Sequence, residues 1–91
     1  MAEEKILVVD DEDNILELLK FNLENNSYKV VTASNGDEAL KLARSEEPNL
    51  ILLDLMLPGL DGYELCKEIR RDVNLSHTPI IMITAKSEEL D

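Results

Sequence analysis

Two stretches of this chain run through unbroken aliphatic residues and stop at acids. Lys5-Ile-Leu-Val-Val9 meets Asp10-Asp11, and Leu50-Ile-Leu-Leu53 meets Asp54. A short apolar run bounded by turn signals is the pattern of a strand buried on both faces, and such strands belong to parallel sheets covered by helices. A third run, Ile80-Ile-Met-Ile83, ends in Thr84-Ala85. A fourth segment, Tyr28 to Ala33, carries more polar groups and is expected at the sheet edge. These runs constrain the fold more than any other feature.

Between them the hydrophobic period changes to that of helices. Ile15, Leu16, Leu19 and Leu23 recur at helical spacing, with Glu17, Lys20 and Glu24 between them. Asp13 is expected to cap this helix, and Asn25-Asn26-Ser27 to end it. Ser34-Asn35-Gly36 reads as a turn, and Asn35 with Glu38 has capping-box spacing. Ala39, Leu40 and Ala43 form the stripe of a short second helix that ends by Glu47, before Pro48. Asp61 and Glu64 repeat the capping-box spacing. Leu65, Cys66, Ile69 and Val73 then mark a third helix. Asn74 to Pro79 is a loop, and the polar tail from Lys86 to Asp91 has room only to begin another helix. The order βαβαβαβ implies one α/β domain over residues 1–91, with a parallel sheet, right-handed crossovers and helices on both faces.

In a doubly wound sheet of strand order 2-1-3-4, the chain reverses direction between the first and third strands. The crevice at that switch point opens at the carboxyl ends of the strands. Asp10, Asp11 and Asp54 converge there, with Thr84 beside Asp54 at the end of the fourth strand. Two carboxylates ~5 Å apart at an effective dielectric of ~20 repel by about 3 kcal/mol. Three such groups call for a compensating cation, and Mg²⁺ held by carboxylates beside a phosphate fits the donor set. A carboxylate in that setting can act as a nucleophile toward a phosphoryl group. The bland alternative is that Asp54 only caps a turn.

Composition narrows the partners. Nine basic residues against twenty acidic ones give a net charge of −11, which argues against direct nucleic-acid binding and anionic membrane surfaces. Cys66 is single, so no disulfide framework or thiolate cluster is expected, and its place in an apolar pattern suits a core thiol. No membrane span or signal peptide is visible, and a cytoplasmic location is expected. Other acidic motifs fit worse. Asp10 to Asn14 lacks the central Gly of an EF-hand loop, and there is no glycine-rich phosphate loop. His77 has no triad partner and reads as a surface side chain, as Lys86 reads as a solvated loop lysine.

The motifs Ile6-Leu-Val-Val-Asp-Asp11, Leu52-Leu-Asp54-Leu-Met-Leu-Pro-Gly-Leu-Asp-Gly62 and Pro79-Ile-Ile-Met-Ile-Thr-Ala85 together resemble the receiver domain of two-component response regulators. The middle motif is most similar to receivers that precede winged-helix DNA-binding domains. The resemblance implies a flavodoxin-like fold and a signalling switch. Asp54 would accept a phosphoryl group from a sensor histidine kinase. Asp11, Asp54 and the backbone carbonyl of Met56 would ligate Mg²⁺, with Asp10 acting through a water. Thr84 would contact the phosphoryl group and report it, small Ala85 would leave access, and Asn14, Ile15 and Leu18 would face the kinase.

The chain stops at Asp91, before the last helix, strand and helix of the family fold. The lysine and aromatic residue that the family carries on its fifth strand are therefore not present. Strand 4 is then expected to be an apolar edge able to pair with a second copy in a homodimer. Two other readings compete. One is an inactive fragment that serves folding or assembly. The other is a phosphatase with an aspartyl nucleophile, disfavoured because Met56 stands where its general acid would be.

Overall fold

A computed structural model describes residues 4–54, 57 and 62–83. The element order is β1 (Lys5–Val9), α1 (Asp13–Asn25), β2 (Lys29–Ala33), α2 (Gly36–Glu46), β3 (Leu50–Asp54), α3 (Gly62–Arg71) and β4 (Ile80–Ile83). The strands form one parallel sheet in the order β2-β1-β3-β4. Both the alternation and the edge position of β2 agree with the sequence reading.

Alternation along the strands sorts the side chains between two faces. Leu7, Val9, Ile51 and Leu53 point to one face, where α2 and α3 bury them with Ala39, Ala43, Leu65, Ile69 and Leu75. Small Ala39 and Ala43 let α2 lie close to the strands, and both are fully buried. Ile6 and Val8 point to the other face, where Leu16 of α1 covers them and Leu19, Leu23, Leu50 and Leu52 are partly buried. Helix α1 packs mainly on β2 and β1, so among the described residues this face is less completely covered over β3 and β4.

Helix termini explain where the elements stop. Asn35 caps α2, its side chain accepting from Glu38 N at 2.8 Å. The returning Glu38 carboxylate takes Ser34 N at 3.0 Å, one residue earlier than a standard capping box. The α1 cap differs from expectation. Glu12 is the N-cap without a side-chain bond, and Asp13 lies inside the first turn, because the residue-12 amide is taken instead by Asp10 Oδ1 at 2.9 Å. The α1 C-terminus closes in a Schellman motif, with Tyr28 N bonded to Leu23 O and Ser27 N to Glu24 O. This turn holds Ser27 at φ 72°.

The third helix stops earlier than its apolar stripe suggested. Val73 lies beyond α3 and is 82% exposed, while Leu75 in the following turn is 1% exposed. Arg70 causes much of this. Its guanidinium donates to the carbonyls of Leu75, Ser76 and Thr78, which winds the connection back and presses Leu75 into the core. Strand β2 begins at Lys29 rather than Tyr28. The expected Asp61 cap lies outside the described residues.

Candidate functional site

Strand register places the acids. Val9 pairs with Leu53 across β1 and β3, so the residues that follow each of them, Asp10 and Asp54, leave the sheet side by side. Asp10 is further fixed from its other side, its backbone N donating to Ala33 O at the end of β2, 3.1 Å away. Carboxylate oxygens of Asp10, Asp11 and Asp54 lie within 4.8 Å of one another. Asp10 and Asp54 are each 6% exposed, whereas Asp11 is open to solvent.

This arrangement is electrostatically costly. Burial raises the Asp10 carboxyl above the ordinary aspartate range, the Glu12 amide pulls it back, and the charges of Asp54, Asp11 and Glu12 push it up again. The ion pairs Lys5–Glu46, Arg44–Asp72, Glu64–Lys67 and Glu68–Arg71 lie away from the cluster. The cluster combines two buried carboxylates with one exposed one, their oxygens within 4.8 Å of one another. A hard divalent cation with oxygen preference fits that donor set.

Of the residues predicted from sequence, Asp10, Asp11 and Asp54 are brought together. Met56, Thr84 and Ala85 lie outside the described residues, although Ile83, which precedes Thr84, pairs directly with Asp54. Sequence reasoning missed the roles of Glu12 and Ala33, whose backbone groups hold Asp10. Such contacts leave no side-chain signal. A hollow of about 410 Å³ lies at the opposite end of the sheet, lined by Lys5, Glu24, Tyr28, Lys29, Val30, Val31 and Glu46. Two of its charges, Lys5 and Glu46, are paired with each other at 2.7 Å, and among the described residues it gathers no cluster of carboxylates like that of Asp10, Asp11 and Asp54.

Comparison with known proteins gives one family. The response regulator receiver domain matches residues 6–91. The alkaline phosphatase synthesis transcriptional regulatory protein PhoP of Bacillus subtilis is 58% identical over 87 residues, covering 96% of this chain. The chain spans only 35% of that relative's length. Among solved structures, a chemotaxis response regulator of Vibrio cholerae superposes with a TM-score of 0.90 at 32% identity, covering 94% of this chain and 72% of its own. The receiver domain of a sensor histidine kinase from Pseudomonas aeruginosa, solved with a magnesium ion coordinated in its active-site cleft, gives a TM-score of 0.88 at 34% identity, with 94% and 70% covered.

Proposed function

Since the chain belongs to the response regulator receiver domain family, we propose that it is a phosphoacceptor switch in which Asp54 takes a phosphoryl group from a sensor histidine kinase. The observation that carries this reading is the convergence of Asp10, Asp11 and Asp54 within 4.8 Å at the carboxyl ends of β1 and β3. An Asp54 carboxylate oxygen attacks phosphorus, the oxygen–phosphorus bond forms, and the phosphorus–nitrogen bond to the donor histidine breaks. Mg²⁺, when bound, neutralises charge and orients the phosphoryl oxygens. Asp11, Asp54 and the Met56 carbonyl are the proposed direct ligands, with Asp10 acting through a water. Asp10 also presents its buried charge to that position, held there by Glu12 N and Ala33 O. Thr84 and Ala85 follow β4 and are assigned to phosphoryl contact and to access.

The outer side of α1 is the proposed kinase-docking surface: Asn14 is open, Ile15 half-buried and Leu18 57% exposed. The name of the 58% relative, a transcriptional regulatory protein, supports an output in transcription. Among the described residues no helix is long and apolar enough to cross a membrane, and a cytoplasmic site of action accords with a kinase partner. A second surface, the outer edge of β4, is proposed for self-association. No described strand pairs with it, and Ile81 is 51% exposed there.

The test is direct. The chain, incubated with Mg²⁺ and a small acyl phosphate donor, gains an acid-stable, base-labile phosphate located at Asp54. Asp54→Asn gains none. Incorporation that persists in Asp54→Asn, or that ignores removal of Mg²⁺, would sink the assignment. Sedimentation of the 91-residue chain over rising concentration tests the β4 edge, and a monomer throughout would reject it.

A further inference from the structure

We propose that Asn35 is a site of spontaneous deamidation, and that the helix it caps gives the two products opposite fates. The reaction needs an unhindered backbone amide after the asparagine, and Gly36 supplies one, having no Cβ to obstruct approach to Asn35 Cγ. The amide is also uncommitted. Residue 36 opens α2, where the first amides have no intrahelical acceptor, and Gly36 N–H finds no acceptor among the described residues. The electrophile is activated, because Asn35 Oδ1 accepts from Glu38 N at 2.8 Å and so draws electron density from Cγ.

The chemistry balances with water alone. Gly36 N gives its proton to solvent base and bonds to Asn35 Cγ. The Cγ–Nδ2 bond breaks, and ammonia leaves with a proton from solvent. Water then opens the cyclic imide on either side. Opening at Cγ leaves an ordinary aspartate at position 35. Opening at the main-chain carbonyl routes the backbone through Cγ, adds one methylene to it, and leaves an isoaspartate. Aspartate still accepts from Glu38 N, and its charge suits a helix N-terminus. Isoaspartate cannot keep both cap bonds, since Ala39 N also needs the residue-35 carbonyl, now 3.0 Å away. The damage lies two residues from Ala33, whose carbonyl accepts from Asp10 N.

Gly36 is buried, and attack therefore draws on brief opening of the cap. The Glu38 carboxylate, bonded to Ser34 N and Oγ, limits that opening. The whole chain is held for weeks at mildly alkaline pH, digested, and its peptides separated by mass spectrometry into amide, aspartyl and isoaspartyl forms. Gly36→Ala, Glu38→Ala and urea-unfolded chain run in parallel. The expected result is conversion at Asn35 in the folded chain ahead of Asn26, the asparagine before Ser27. Gly36→Ala loses the isoaspartyl product, and Glu38→Ala gains it faster. The isolated isoaspartyl form melts below native protein, while Asn35→Asp does not. The proposal is overturned if folded chain keeps its Asn35 amide while unfolded chain converts. It is equally overturned if Gly36→Ala converts as fast, or if isoaspartyl protein melts like Asn35→Asp.

Discussion

The two ends of the sheet store their cost in different forms. At the amino end, backbone geometry is forced, and Lys5 and Glu46 pair with each other. Ser27 and Glu47, the non-glycine residues at positive φ among those described (72° and 48°), lie in the turns leading into β2 and β3. Lys5 ties the starts of β1 and β3 together, through its amide on Asn49 Oδ1 and its Nζ on Glu46. At the carboxyl end charge is left in conflict, with three carboxylates gathered and the Asp10 carboxyl raised. Turn strain there serves only folding. Mutual repulsion between carboxylates is what a bound cation relieves, and this difference is why the proposed site is placed at the carboxyl end of a sheet whose two ends are built from the same strands.

The sharpest way to break the comparison is Asp54→Asn. It should abolish phosphate incorporation and the Mg²⁺-induced rise in melting temperature, measured by calorimetry with and without the ion. An undiminished rise would mean that the cation is held elsewhere. Asp10→Asn removes one of the mutually repelling charges while keeping an oxygen for Glu12 N. The metal-free protein should gain about 1–2 kcal/mol in urea unfolding, and Mg²⁺ affinity should fall.

Proton titration probes the same conflict without mutation. Folding raises the Asp10 pKa, so the folded state binds that proton more tightly than the unfolded chain does. The resulting stability is fully present below the ordinary aspartate value of 3.8 and is lost as pH rises through the higher folded value. Metal-free protein should therefore gain from this group on mild acidification, whereas saturating Mg²⁺, which needs ionised carboxylates, should reverse the trend. Urea melts across pH in both conditions decide it, and parallel curves would count against the cluster.

At the amino end the expected effects are smaller and of another kind. Ser27→Gly and Glu47→Gly should each stabilise by about 0.5–1 kcal/mol by relieving left-handed backbone, with Mg²⁺ affinity unchanged. Lys5→Met should cost least, because the pair it breaks with Glu46 is near the surface. A change in cation affinity from any of these would show that the two ends are coupled.

How much of this was legible beforehand depends on the kind of contact. Parallel strands buried on both faces read as aliphatic runs, and acids directly after two of them were visible without a structure, as was the order that brings them together. The α2 cap was equally plain, since Asn35 and Glu38 advertise it by type and spacing. The end of α3 was not. Periodicity carried the helix to Val73, while the competing signal was a lone Leu75 in a polar loop. What decided between them was the Arg70 guanidinium gathering three carbonyls, a side-chain-to-backbone contact that periodicity does not encode. Asp13 looked like a cap for a similar reason: the Asp10 carboxylate takes the amide at residue 12, a contact that composition and spacing do not show.

The central place of β1 has a consequence in time. Its pairing with β3 joins positions 44 residues apart, as the Lys5–Asn49 bond marks. A loop that long must close before Asp54 stands beside Asp10, and non-local pairings of this kind are slow steps in folding. The proposed cation site is not assembled until that closure has happened. Mg²⁺ should consequently act as a brake on the way out, slowing unfolding in stopped-flow experiments while leaving the refolding limb almost untouched. On the proposed reading, the ion would fasten a fold that has already formed rather than help to form it.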